Sequence, residues 1–199
     1  GMMLIERLVV QERKRVLLLS PKSATEAVWK TDLQKHLPNL KGAFSNLAVY
    51  SHTDLLREGE FYEKLESVRE EADVVIIDEA HHFRNEKKKG RYQRLFEIIG
   101  NKTTYMLTAT PINNGILDFR DMIYLFSRKK ENYFANPPLG IHNLNGHFKK
   151  LQQSLNRITN NAEEQIDIEE AELKETYESD ALFKALIVQR SRKYVKDSQ

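Results

Sequence analysis

The chain has 199 residues, of which 40% are apolar and 30% charged, and its net charge at neutral pH is +2. That length supports one good core with room for a helical appendage, and no apolar run approaches the roughly 18 residues of a membrane span. With no cysteine, disulfides, thiolate metal sites and cysteine nucleophiles are excluded; "GMMLIERLVVQERKR" carries no secretory signal, so the cytoplasm is the expected compartment.

Leu4, Ile5, Leu8 and Val9 recur at helical spacing, and "VLLLS" reads as a short buried strand. After Pro21 a helix is expected from about 25 to 36, with Val28, Trp29 and Leu33 on one face and Pro38 as its stop. Trp29 is read as core packing against a sheet. "NLAVYS" is a second strand, "EFYEKLESVREE" a charged helix, "DVVIID" a third strand, "RYQRLFEIIG" a helix ending at Gly100, and "TTYMLTAT" a fourth strand. Strand and helix in alternation predict a parallel sheet covered by helices.

From Ile116 onward the strand signals stop. Ile116, Phe119, Ile123 and Phe126 share one helical face, "NPPLGIHNLNG" breaks the chain, and two amphipathic helices are expected, at about 147–158 and 162–188. The division expected is 1–127 for a three-layer α/β body and 128–199 for a helical appendage ending in a basic segment. Charge is uneven there: residues 161–180 hold nine acids and one lysine, while 184–196 hold five basic residues and no acid. Such a segment can face phosphate or simply form a solvated helix face.

In a parallel α/β sheet the ligand site lies beyond the carboxyl ends of the strands. Here those ends are polar: Ser20-Pro21-Lys22, Asp78-Glu79-Ala80-His81 and Thr108-Ala109-Thr110. A carboxylate at the tip of an apolar strand suits a Mg²⁺ carrying phosphate, and a second one beside it can orient an attacking water. The other reading is that the acids cap a helix beginning near 82–84. His82 beside His81 raises the thought of zinc, but neighbouring side chains point apart and no second ligand cluster exists.

"VVIIDEAHHFRN" followed after about twenty-five residues by "YMLTATPINN" resembles motifs II and III of superfamily-two helicases, and in detail is similar to the bacterial Swi/Snf-type DNA translocases. "VLLLSPKSATEAVWKTDL" is similar to their motif Ia, and "LIVQRSRKYV" to the basic segment that closes the first motor lobe. The resemblance implies a RecA-like (P-loop NTPase) lobe from an ATP-dependent helicase or translocase, using ATP and Mg²⁺, acting on nucleic acid such as double-stranded DNA, and working with a second RecA-like lobe.

Residue by residue, it implies that Asp78 holds Mg²⁺ through water, that Glu79 polarises the hydrolytic water and that His81 couples the site to motif III. Thr108, Ala109 and Thr110 would link nucleotide state to nucleic-acid contact, or the two threonines would only satisfy backbone groups at a strand end. Ser20, Pro21 and Lys22 match positions near phosphate contacts, and Lys22 can equally be solvated. Ser51 and His52 match motif Ib, and Arg190, Arg192 and Lys193 the basic segment.

The sequence has no Gly-rich GxGKT loop. The resemblance implies that this loop and its strand lie upstream and the second lobe downstream, so the chain is expected to be a fragment that binds ATP poorly and hydrolyses it negligibly. The strand bearing motif III would then be an exposed edge open to self-association. A restriction-system motor subunit, an RNA helicase and a non-catalytic nucleic-acid or protein-binding module are the competing readings.

Overall fold

The computed structural model describes residues 1–36, 46–84, 90–109, 116–161 and 179–188. Two compact units divide the chain, Gly1–Lys130 and Glu131–Gln199.

In the first unit, helix α1 (Met2–Ile5) continues as a π-helical stretch, Glu6–Gln11, and leads into strand β1, Val16–Ser20. Next comes one continuous helical run: α2 (Lys22–Ala24), a π-helical stretch (Thr25–Lys30) and α3 (Thr31–His36). Strand β2 is Leu47–Ser51, α4 is Glu60–Glu71 and β3 is Val74–Ile77. Helix α5 (Arg91–Ile99) stops at Gly100, whose backbone (φ 51°, ψ −120°) lies in a positive-φ region that glycine adopts without a Cβ clash. Strand β4 is Thr103–Met106 and α6 is Ile116–Ser127.

The four strands are parallel, in the order β2-β1-β3-β4, with Leu18 opposite both Val49 and Ile76, and Ile76 opposite Tyr105. Side chains alternate across a strand. Val16, Leu18, Val74 and Ile76 pack with Ile5, Leu8, Val9, Trp29 and Leu33. The alternate set Leu17, Leu19, Val75 and Ile77 is fully buried as well, so both faces of the central strands are covered. That is why β1 and β3 are apolar without interruption. Each such side chain contributes about 1.5–3 kcal/mol on burial. The result is the expected three-layer α/β, RecA-like arrangement.

Strand β4 differs. It is an edge of the sheet among the described residues, where the sequence placed it, and its side chains alternate between exposed and half-buried, with Tyr105 38% exposed.

In the second unit, α7 (Leu144–Asn161) begins three residues before the expected start. The reason is capping: Asn143 Oδ1 accepts the Gly146 N–H at 2.6 Å, and Glu131 Oε2 accepts the Asn145 N–H at 2.7 Å. The continuous helix expected over 162–188 is corrected where it is described. Asp180 is extended (φ −65°, ψ 132°) and its carboxylate caps a new helix, α8 (Ala181–Leu186), by accepting the Leu182 and Phe183 N–H groups, and Ile187 is again extended. A short polar side chain that can satisfy free N–H groups outweighs the apolar periodicity running through it. Residues 162–178 of that expected helix lie outside the described residues. Among the described residues no helix is long and apolar enough to cross a membrane.

Candidate active site at the tip of β3

The ladder that holds β3 continues past its last residue. Asp78 N–H donates to Leu19 O (2.8 Å), Leu107 N–H to Ile77 O (2.8 Å) and Ala80 N–H to Leu107 O (2.9 Å), so the acidic tip is pinned from both neighbouring strands. The chain must then turn abruptly into the 3₁₀ segment Ala80–Phe83, and Glu79 makes that turn in the left-handed region (φ 50°, ψ 48°). A side chain with a Cβ is held there at a cost of roughly 1–2 kcal/mol. Strain at this residue type in a cavity wall points to function rather than to folding. Glycine at position 79 is therefore expected to be more stable than alanine there by about 1 kcal/mol in chemical denaturation, the reverse of the order in an unstrained helix.

The two carboxylates have separate partners. Asp78 Oδ2 accepts the indole N–H of Trp29 at 2.7 Å, and Oδ1 accepts the Glu79 N–H at 3.0 Å. Glu79 Oε2 lies 3.1 Å from His81 Nδ1, a charge contact if the imidazole is protonated, but the oxygen is buried and has no aligned hydrogen bond among the described residues. His81 Nδ1 is also 3.2 Å from Thr108 Oγ1. Glu79 occupies the capping position of the 3₁₀ segment without a side-chain bond; residues 85–89, where a helix beginning near 82–84 would continue, lie outside the described residues. His82 packs on His81, ring centroids 4.5 Å apart. Its pKa is lowered by burial first and then by the charges of His81 and Arg91, which favours a neutral ring.

Asp78, Glu79 and Thr108 line a cavity of about 330 Å³ with Trp29, Asp32, Ala109, Gly1, Met2, Val28 and Leu107. No three His, Cys, Asp or Glu side chains among the described residues could hold a metal between them. The donor set therefore fits Mg²⁺, which commonly binds through one or two carboxylates with phosphate and water completing its shell, and does not fit a metal caged by protein ligands.

The other expected site residues fall into three groups. Ser20, Ser51 and His52 are buried, at 0, 4 and 2% exposure. The two serine side chains bond inside the protein, Ser20 Oγ with Thr25 Oγ1 (2.7 Å) and Ser51 Oγ with Thr53 Oγ1 (2.8 Å), and the backbone N–H groups of Ser51 and His52 donate to Asp54 (2.7 Å) and to Ser20 O (2.8 Å), while the His52 ring Nε2 is buried without a partner among the described residues. Lys22 is exposed and Pro21 half-buried at the same strand end. Thr110, Arg190, Arg192 and Lys193 lie outside the described residues.

The sequence predicts Trp29 as core packing against the sheet. It is buried, at 6% exposure, and packs on the sheet, but it also bonds the site's leading carboxylate. The available signal was the indole N–H itself, which needs a partner when the ring is buried. Asp32 on the cavity wall had no signal in the sequence beyond lying one turn along the same helix.

A family model described as the res subunit of type III restriction enzymes matches residues 2–113, more than half of the chain. The match identifies the domain as a superfamily-two helicase-like motor domain, a class of ATP-dependent enzymes that act on nucleic acid. No curated protein matches the chain.

Proposed function

We infer that this chain, which belongs to the family of type III restriction enzyme res subunits, is the first lobe of an ATP-driven motor that moves along double-stranded DNA. The observation that carries this is the pinned Asp78-Glu79 tip, with His81 within 3.1 Å of Glu79 and 3.2 Å of Thr108, on the wall of one cavity. In this reading residues 1–127 form the motor lobe and 128–199 a helical appendage ending in a basic segment, and the protein works in the cytoplasm.

Asp78 holds the cation through water, and Glu79, whose Oε2 is buried without an aligned donor, orients and polarises the attacking water. Bound Mg²⁺ would neutralise charge developing on the transferred phosphate. His81 links Glu79 to Thr108, and Thr108, Ala109 and Thr110 carry nucleotide state toward the nucleic-acid edge. Lys22 is the side chain at that edge free to meet a phosphate, while Ser20, Pro21, Ser51 and His52 shape the strand ends behind it. Arg190, Arg192 and Lys193 supply further positive charge for DNA or for the second lobe.

The test is ATP turnover by the two-lobed protein with double-stranded DNA, single-stranded DNA or RNA as the stimulus. Duplex DNA is expected to stimulate most, and RNA alone doing so would replace the reading with an RNA helicase. A second reading, a Swi/Snf-type translocase, is supported by the "HFRN" and "PINN" tails that follow motifs II and III. Turnover on any duplex favours it; turnover that requires a particular DNA site favours a restriction-system motor, in keeping with the family match.

A further inference from the structure

We propose that Trp29 is a positioning residue that fixes the Asp78 carboxylate in the orientation it needs to receive a divalent cation. The proposal rests on the assignment of Asp78 as the cation-bearing carboxylate. A carboxylate on a two-bond stem can rotate, and a rotating ligand weakens a cation that takes only one protein group. Here both oxygens are held, Oδ2 by the indole N–H at 2.7 Å and Oδ1 by the Glu79 N–H at 3.0 Å, and each keeps a lone pair for another partner. The choice of donor matters. Lys or Arg in the same place would offset the negative charge, whereas indole donates a hydrogen bond, accepts none and carries no charge.

The mount is built for this contact. Trp29 sits in the π-helical stretch Thr25–Lys30, a local widening that is uncommon inside helices and frequent at functional sites. The start of that stretch is tied to the end of β1, because Thr25 Oγ1 bonds Ser20 Oγ at 2.7 Å and Pro21 O at 3.0 Å. Asp78 is tied to the same strand end through its N–H on Leu19 O at 2.8 Å. Donor and acceptor are thus referenced to one rigid strand, 49 residues apart in sequence.

Trp29 is the only tryptophan in the chain, so its indole N–H gives a single reporter signal in a proton–nitrogen NMR spectrum. That proton is expected to exchange with solvent roughly tenfold more slowly, or slower still, in the unaltered protein than in Asp78→Ala, as a bond to a charged acceptor implies. Equal exchange in the two would overturn the contact. For the cation, Mn²⁺ alone is titrated while the amide signals of Asp78 and Glu79 are followed. Trp29→Phe, which keeps an aromatic ring but has no N–H, is expected to raise the Mn²⁺ concentration for half-broadening by roughly tenfold or more. Equal broadening in a folded Trp29→Phe would overturn the positioning role while leaving Asp78 as a ligand. No broadening in the unaltered protein would overturn the cation assignment, and the proposal with it. If Trp29→Phe does not fold, Asp78→Asn with Trp29 kept must still show faster indole exchange and weaker Mn²⁺ broadening, or the proposal fails.

Discussion

If Glu79 activates the attacking water as proposed, Glu79→Gln is expected to lower ATP turnover, measured with this lobe joined to a second one, by roughly 10²–10⁴-fold while ATP affinity changes by no more than a few-fold; this is the range expected when a group that accepts or orients a proton in the transition state is replaced. The amide is nearly isosteric with the carboxylate, so the left-handed turn at position 79 and the ladder that pins the tip on either side are kept. What is lost is the charge and basicity of an oxygen that already lies buried, without an aligned donor, beside His81. The loss belongs in kcat. Asp78→Asn should act differently, by raising the Mg²⁺ concentration needed for half-maximal turnover, because it weakens a ligand rather than a base. Steady-state kinetics across Mg²⁺ concentration separates the two, and Glu79→Gln with unchanged kcat would remove Glu79 from the chemistry.

The position of the acidic tip was partly legible in the sequence, and the legible part follows from burial. Strands β1 and β3 are covered on both faces, so Val16–Leu19 and Val74–Ile77 had to be apolar throughout, and a run of that kind ending in Asp78-Glu79 announces both a central strand and a polar tip. Periodicity sees only which face is apolar. It placed Trp29 on the inner face, where it is, but could not show that the ring's one polar atom reaches Asp78, a contact set by the π-helical widening at Thr25–Lys30. Motif matching named Ser20, Ser51 and His52 by their place after strands. It could not show that each turns inward, because this depends on partners such as Thr25, Thr53 and Asp54, which are unremarkable in sequence. The break at Asp180 was hidden for a related reason: a cap is one residue's hydrogen bonds competing with a long pattern.

His52 turns that inward position into a measurable pH dependence. Its ring is packed edge-on against Phe83 and His82, with centroids 4.8 and 5.6 Å away, and Nε2 is buried without a hydrogen-bond partner among the described residues. Burial pushes its pKa down to about 4 from an ordinary 6.5, with the charges of His82 and Arg91 acting in the same direction and hydrogen bonds to the backbone of Asp78 and Leu19 opposing them. The folded protein thus holds the neutral ring, while the unfolded chain takes up a proton as pH falls below about 6.5. The stability that His52 contributes is complete above that pH and is lost progressively between about 6.5 and 4. Linkage sets the loss at of order 2–3 kcal/mol. Urea denaturation at pH 7.5 and 4.5 should show the drop in the unaltered protein and a clearly smaller one in His52→Gln, which stays polar but does not titrate. Because His81 and His82 are present in both proteins, the difference between the two slopes isolates His52, and parallel slopes would rule out its burial as a neutral ring.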